Sequence, residues 1–218
     1  MRIARGGGIF VFPAIGLFTA VLISYPFNPL PWHRALTLIT LLPLLLMLWF
    51  FRDPDRHYIG ESDLPVVIAP ADGRITAVEN RDDGCSLSVY LTLIDVHVIR
   101  MPLDGRVRGV TSLPGGHRPA GSAGAVRNAA VEVRCAVGGG EMVVRLVSGL
   151  LARRIVTYLD LNETGQAGMR LGLIRFGSRV DLELPAGYRP LVGIGERVRA
   201  GVSEVAVLET SSTISVQG

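Results

Sequence analysis

The stretch LIRFGSRVDLELP, residues 173–185, decides the fold class. Side chains two apart share one face of a strand, so Phe176, Ser178, Val180, Leu182 and Leu184 lie together while Arg175, Arg179, Asp181 and Glu183 face the other way. That alternation predicts a half-buried β-strand with Ser178 turned inward. A buried strand serine is ordinarily structural, its hydroxyl bonded to a backbone carbonyl. Gly177 changes the reading, because a glycine inside a strand pattern marks a bulge or a strained peptide. A strained Gly-Ser peptide is suited to attack by the serine hydroxyl on the preceding carbonyl.

Around this stretch, short apolar runs alternate with Gly and Pro punctuation: VVIAP, RITAVE, LSVYLTLIDVHVIRMP, AVEVRCAV, EMVVRLVSG, RIVTYL and EVAVLE. They predict a mainly β domain over residues 57–218, a compact barrel or sandwich. Only GLLARRIVTYLD, residues 149–160, has a pattern that also suits a helix. APADGRITAV at 69–78 and VGIGERVRAG at 192–201 look like the folded-over elements of a lipoyl or biotinyl hammerhead. The lysine that such a carrier modifies is missing.

Residues 1–56 read differently. Residues 9–25 and 35–51 are two uncharged apolar runs, each near the lower length limit for crossing a bilayer core of roughly 30 Å. They predict a helical membrane hairpin, kinked at Pro13 and Pro43 and ended by Pro54. Arg2 and Arg5 precede it, Arg52 and Arg56 follow it, and the connector holds only Arg34 and His33. This asymmetry places the β domain on the cytoplasmic side of the cell membrane.

All 22 basic residues are Arg, and the net charge is +3. Without lysine the chain cannot hold pyridoxal phosphate as an internal Schiff base. The arginines are dispersed, which speaks against nucleic acid as a partner. Cys85, Cys135 and the four histidines show no metal-ligand spacing, so no metal is expected and both thiols are expected to be buried and reduced.

Two further residues stand out. His97 continues the odd-numbered face of Leu87, Val89, Leu91 and Leu93, so an unbroken strand turns it inward with Asp95. A satisfied core histidine is the ordinary explanation, but imidazole is also the natural base for a serine hydroxyl near neutral pH. Asp72, between Pro70 and Gly73, is ordinarily an Asx-turn residue, and its carboxylate equally suits orienting His97.

FFRDPDR at 50–56, APADGRI at 69–75, IDVHVIRMPLDG at 94–105, GLLARRIV at 149–156 and LIRFGSRVDLELP at 173–185 resemble, in that order, the motifs of short-form phosphatidylserine decarboxylases. The likeness covers nearly the whole chain. Arg100 stands where some members carry a second histidine, and VRNAAVE at 126–132 lacks the N-E-R triplet of many. The resemblance implies a zymogen that cleaves itself between Gly177 and Ser178, leaving a β chain and an α chain that begins with a pyruvoyl group made from Ser178. It implies that Asp72 and His97 activate the serine, and that the pyruvoyl cofactor decarboxylates phosphatidylserine to phosphatidylethanolamine in phospholipid biosynthesis. A homodimer is compatible with it. Two other readings remain open at this point: a pyruvoyl decarboxylase of a free amino acid, and a non-catalytic β-domain adaptor tethered to the membrane.

Overall fold

The computed structural model describes residues 2–26, 31–60, 65–81, 83–116, 118, 127–149, 154–175 and 178–209. The chain divides into two units, Met1–Asp55 with Leu93–Val96, and Arg56–Thr92 with His97–Gly218.

The first unit is a helical hairpin. Helix α1 spans Gly8–Ser24 and α2 spans His33–Phe50. A two-residue strand β1 (Arg2–Ile3) pairs antiparallel with β2 (Arg52–Asp53), and the Ala4 N–H donates to the Phe51 carbonyl, so the two ends of the hairpin are tied together. Phe10 and Phe51 stack with centroids 5.5 Å apart. At 1.5 Å per residue α2 is about 27 Å long, and it is long and apolar enough to cross a bilayer; α1 is one residue shorter. Ile9, Phe12 and Leu17 on α1 and Leu38, Leu42 and Leu45 on α2 are exposed. The Arg52 guanidinium lies 4.0 Å from the Trp49 ring centroid and donates to the Ile94 carbonyl at 2.6 Å, which holds the 93–96 turn to the end of α2.

The second unit is mainly β. Its strands are β3 (Val66–Ile68), β4 (Gly73–Arg81), β5 (Gly84–Leu91), β6 (Val98–Arg100), β7 (Gly105–Leu113), β8 (Ala130–Val137), β9 (Gly140–Val147), β10 (Ile155–Thr157), β11 (Thr164–Gly165), β12 (Arg170–Ile174), β13 (Ser178–Pro185), β14 (Tyr188–Pro190), β15 (Arg197–Val198) and β16 (Glu204–Leu208). Among the described residues, the largest sheet runs β11-β7-β8-β9-β13-β5-β4-β15, and two three-stranded sheets run β10-β12-β6 and β14-β16-β3. Val180, Leu182 and Leu184 of β13 bury their side chains with Leu87, Val89 and Leu91 of β5 and Val144 and Leu146 of β9. This is the inward face that the alternation predicts.

The structure departs from the sequence reading in three places. The run 87–102 is not one strand: β5 ends at Leu91, β6 begins at Val98, and Leu93 and Ile94 between them are exposed, so the odd-numbered face ends at Leu91. The helix-compatible stretch 149–160 carries strand β10 instead, where Ile155 pairs with Ile174; residues 150–153 lie outside the described residues. Strand β7 went unread because its sequence, GRVRGVTSL, is rich in Arg and Gly and carries a bulge at Val107/Gly109 that breaks its phase.

The segments 69–78 and 192–201 pair with each other: Arg74 is opposite Arg197, Gly73 is opposite Val198, and the Gly201 N–H donates to the Ala69 carbonyl. Gly73 has φ +150°, and a Cβ there would stand 2.1 Å from the Tyr90 carbonyl oxygen. Gly73→Ala should therefore lower stability by about 3 kcal/mol or more, read as a lower melting temperature of the purified protein in detergent; an unchanged melt would mean that β4 and β5 separate at no cost.

Candidate active site

Ser178 is the first residue of β13, which lies between β9 and β5. It stands opposite Leu91, the last residue of β5. Its side chain is fully buried, and among the described residues its Oγ has no hydrogen-bond partner. The ordinary fate of a strand serine, a bond to a backbone carbonyl, is not realised here. Leaving a buried hydroxyl unpaired costs about 1–3 kcal/mol, so such groups in folded proteins call for a functional explanation. Gly177 lies outside the described residues.

His97, also fully buried, immediately precedes β6. Its carbonyl accepts the Ile174 N–H at 3.3 Å, extending the ladder in which Val98 faces Leu173. Two antiparallel pairs are thus linked end to end. β5 and β13 meet at Leu91 and Ser178 in the large sheet, and β6 and β12 meet at Val98 and Leu173 in the small one. Because β5 leads into β6 and β12 leads into β13, His97 and Ser178 lie at a junction where both chains change sheets.

Asp72 is placed differently. It precedes β4, the neighbour of β5 on the side away from β13, so about 10 Å separates the axes of β4 and β13. Its carboxylate receives both terminal nitrogens of Arg56, one of them at 2.8 Å, and the Ala200 N–H at 2.8 Å. Arg56 also donates to the Ala200 carbonyl at 3.0 Å. The two ion-paired side chains are only 14% and 12% exposed. Asp72 is joined to the His97 strand through backbone: the Arg100 N–H donates to the Pro70 carbonyl at 2.8 Å. Arg100 itself is buried and donates to the Gly168 carbonyl.

Arg56 is the site residue that the sequence reading passed over, treating it as an exit charge of the hairpin. Nothing in one sequence identifies a carboxylate partner 16 residues away. Cysteine chemistry is disfavoured at this site. Burial raises the Cys85 thiol and, with Glu141 adding to it, pushes Cys135 up to about 11, so both are protonated at neutral pH.

Residues 44–206 match the protein family described as phosphatidylserine decarboxylase. The chain is 42% identical over 164 residues to a putative archaetidylserine decarboxylase proenzyme of Halobacterium salinarum, covering 73% of this chain and 80% of the relative. It is 39% identical over 204 residues to a phosphatidylserine decarboxylase proenzyme of Thermobifida fusca, covering 92% and 90%. A relative of the same name from Ralstonia nicotianae is 40% identical over 205 residues, covering 89% and 91%. The chain belongs to the phosphatidylserine decarboxylase family. As a member of the phosphatidylserine decarboxylase family it is an enzyme, a carboxy-lyase, and the names of its relatives mark them as proenzymes.

In this decarboxylase the Arg56–Asp72 pair is a structural clamp. Arg56→Met should leave the Asp72 carboxylate buried on a single N–H and cost about 2–3 kcal/mol. Combining it with Asp72→Asn should recover much of that loss. Melting of the four proteins of this double-mutant cycle measures the coupling, and a coupling under about 0.5 kcal/mol would mean that the pair is screened like a surface one.

Proposed function

We propose that the chain is a membrane-anchored, self-processing phosphatidylserine decarboxylase whose cofactor is a pyruvoyl group formed from Ser178. The observation that carries this reading is the buried Ser178 hydroxyl, without a partner among the described residues, at a sheet junction shared with His97, in a family whose members are named proenzymes. The residue fits the group it would become: conversion to a ketone removes the unpaired hydroxyl and keeps the chain end in its strand.

Maturation would proceed by rearrangement and hydrolysis without an external oxidant. His97 takes the proton from Ser178 Oγ, which attacks the Gly177 carbonyl carbon; the Gly177–Ser178 peptide bond breaks as the Ser178 nitrogen leaves as an amine. In the resulting ester a base removes the Cα proton of residue 178 and the Cβ–Oγ bond breaks, releasing the Gly177 carboxylate as a new C-terminus. The dehydroalanine left behind tautomerises to an imine, and water replaces its nitrogen, releasing ammonia. Asp72, clamped by Arg56 and joined to Arg100 through the Pro70 carbonyl, acts as a positioning residue for the strand that carries His97.

When formed, the pyruvoyl carbonyl supplies an electron sink for the pair released as carbon dioxide leaves the amine-bearing carbon of the substrate. The protein excludes water from that site by burying residue 178 and His97, which favours loss of a carboxylate. His97 then returns a proton to the same carbon, giving phosphatidylethanolamine. The membrane anchor supports a lipid substrate. The helix faces of the hairpin are apolar and exposed. The excess of Arg on the two outer flanks of the hairpin supports a cytoplasmic position for the β unit.

Intact-mass measurement tests the reading. The purified protein should give two chains that meet at the 177/178 bond, whereas Ser178→Ala should remain a single chain of 23.4 kDa without activity. His97→Ala should slow the split at least tenfold. Cleavage of the Ser178→Ala protein at the same bond would remove serine as the cofactor precursor, and turnover of free serine as fast as phosphatidylserine would remove the lipid specificity.

A further inference from the structure

A cleft of about 390 Å³ is lined by Leu113, Pro114, Ala130, Ile155, Ser148 and Arg154 among others. Its volume lies in the range of small-molecule sites. Both of its walls are neighbours of the chain that delivers Ser178. In the large sheet Val147 pairs with Arg179 and with Ala130, so Ser148, the next residue, stands beside Ser178. In the small sheet Ile155 pairs with Ile174, which puts Arg154 across from Arg175, three residues before Ser178. Ser148 is buried at the inner end of the cleft and Arg154 is exposed at its rim.

We propose that Arg154 anchors the phosphodiester of the lipid substrate at the rim of this cleft, with the amine and carboxylate of the head group at the inner end beside residue 178. The inference rests on the decarboxylase reading above. Arg154 makes no ion pair with a carboxylate among the described residues, whereas Arg56, Arg81, Arg134, Arg145, Arg179 and Arg189 each do. A second guanidinium faces it: burial lowers the Arg175 pKa, the Arg154 charge lowers it further, and Tyr158 opposes the shift. This end of the cleft therefore suits an anion.

The choice between the two anions of the substrate follows from the reaction. A cation on the carboxylate would stabilise the ground state more than the transition state, because that charge departs as carbon dioxide. The phosphodiester keeps its charge throughout, so a cation there binds ground and transition states alike. Its phosphorus is four bonds from the amine nitrogen, which matches a cleft with the reacting end inside and the cation at the rim.

The test uses the full chain in nonionic detergent micelles. Arg154→Gln should mature to two chains and raise KM for phosphatidylserine about tenfold with kcat within about twofold. Arg154→Lys should restore part of the loss, and added salt should narrow the gap to wild type. Glycerophosphoserine, which keeps the phosphodiester without acyl chains, should show the same fold-loss, while turnover of free serine should be unaffected by the substitution. Arg81→Gln, an exposed residue at the far end of β4 paired with Glu79, controls for lost positive charge and should change nothing. A fall in kcat at constant KM, an equal loss with free serine, or failure of both Arg154 variants to mature would overturn the assignment. A wild-type protein that stays uncut and inactive would instead overturn the decarboxylase reading on which it stands.

Discussion

The ladder between β5 and β13 is the constraint on which the rest of this structure depends. It is continuous from Gly84 opposite Pro185 to Leu91 opposite Ser178, and β13 is paired on its other edge with β9. A strand bonded on both sides cannot slide by one residue without turning Val180, Leu182 and Leu184 out of the core and Arg179, Asp181 and Glu183 into it. The position of Ser178 is therefore set by the burial of three side chains downstream of it. The same pairing gives the proposed cleavage a benign outcome. Residues after the cut supply β13, β15 and β16, which pair with β5, β9, β4 and β3 from before it, so the two chains would remain one folded body.

The alternation in 178–184 was legible because each of its residues obeys one rule, with the apolar side chains in the core and the polar ones on the other face. The break at 92–97 was not, because Leu93, Ile94 and Val96 are as apolar as the strand residues that flank them. Leu93 and Ile94 are nevertheless exposed, in the turn that Arg52 holds to the end of α2. A pattern of hydrophobicity cannot tell a core from a lipid-facing or partner-facing surface. His97 was identified for its parity with Leu87–Leu93, a relation that the break removes. It is buried instead through its place at the mouth of the β6–β12 ladder.

Asp72 shows a different limit. A carboxylate between Pro and Gly suggests a local turn, but its partners are Arg56 and the Ala200 N–H, the latter 128 residues away. Arg56 is the first residue of the β unit, and Ala200 belongs to the turn that follows β15. One carboxylate thus fixes the entry of the chain into this unit, the start of β4 and a turn near its C-terminal end. Bidentate Arg–carboxylate geometry suits that purpose, because two parallel hydrogen bonds fix orientation as well as distance. With both oxygens so engaged, Asp72 is suited to holding the site in register rather than to exchanging protons.

Among the described residues the buried Ser178 hydroxyl is unpaired. No described residue uses that hydroxyl, and alanine there would fill the same face without an unsatisfied polar atom. Retaining serine in a buried position at the end of a strand pinned on both edges is a cost that stability alone does not explain. If the hydroxyl is consumed in forming a ketone, the penalty is confined to the precursor. Maturation then removes a buried unsatisfied group and leaves the electrophile at the sheet junction it shares with His97, in a position that the sheet had already fixed.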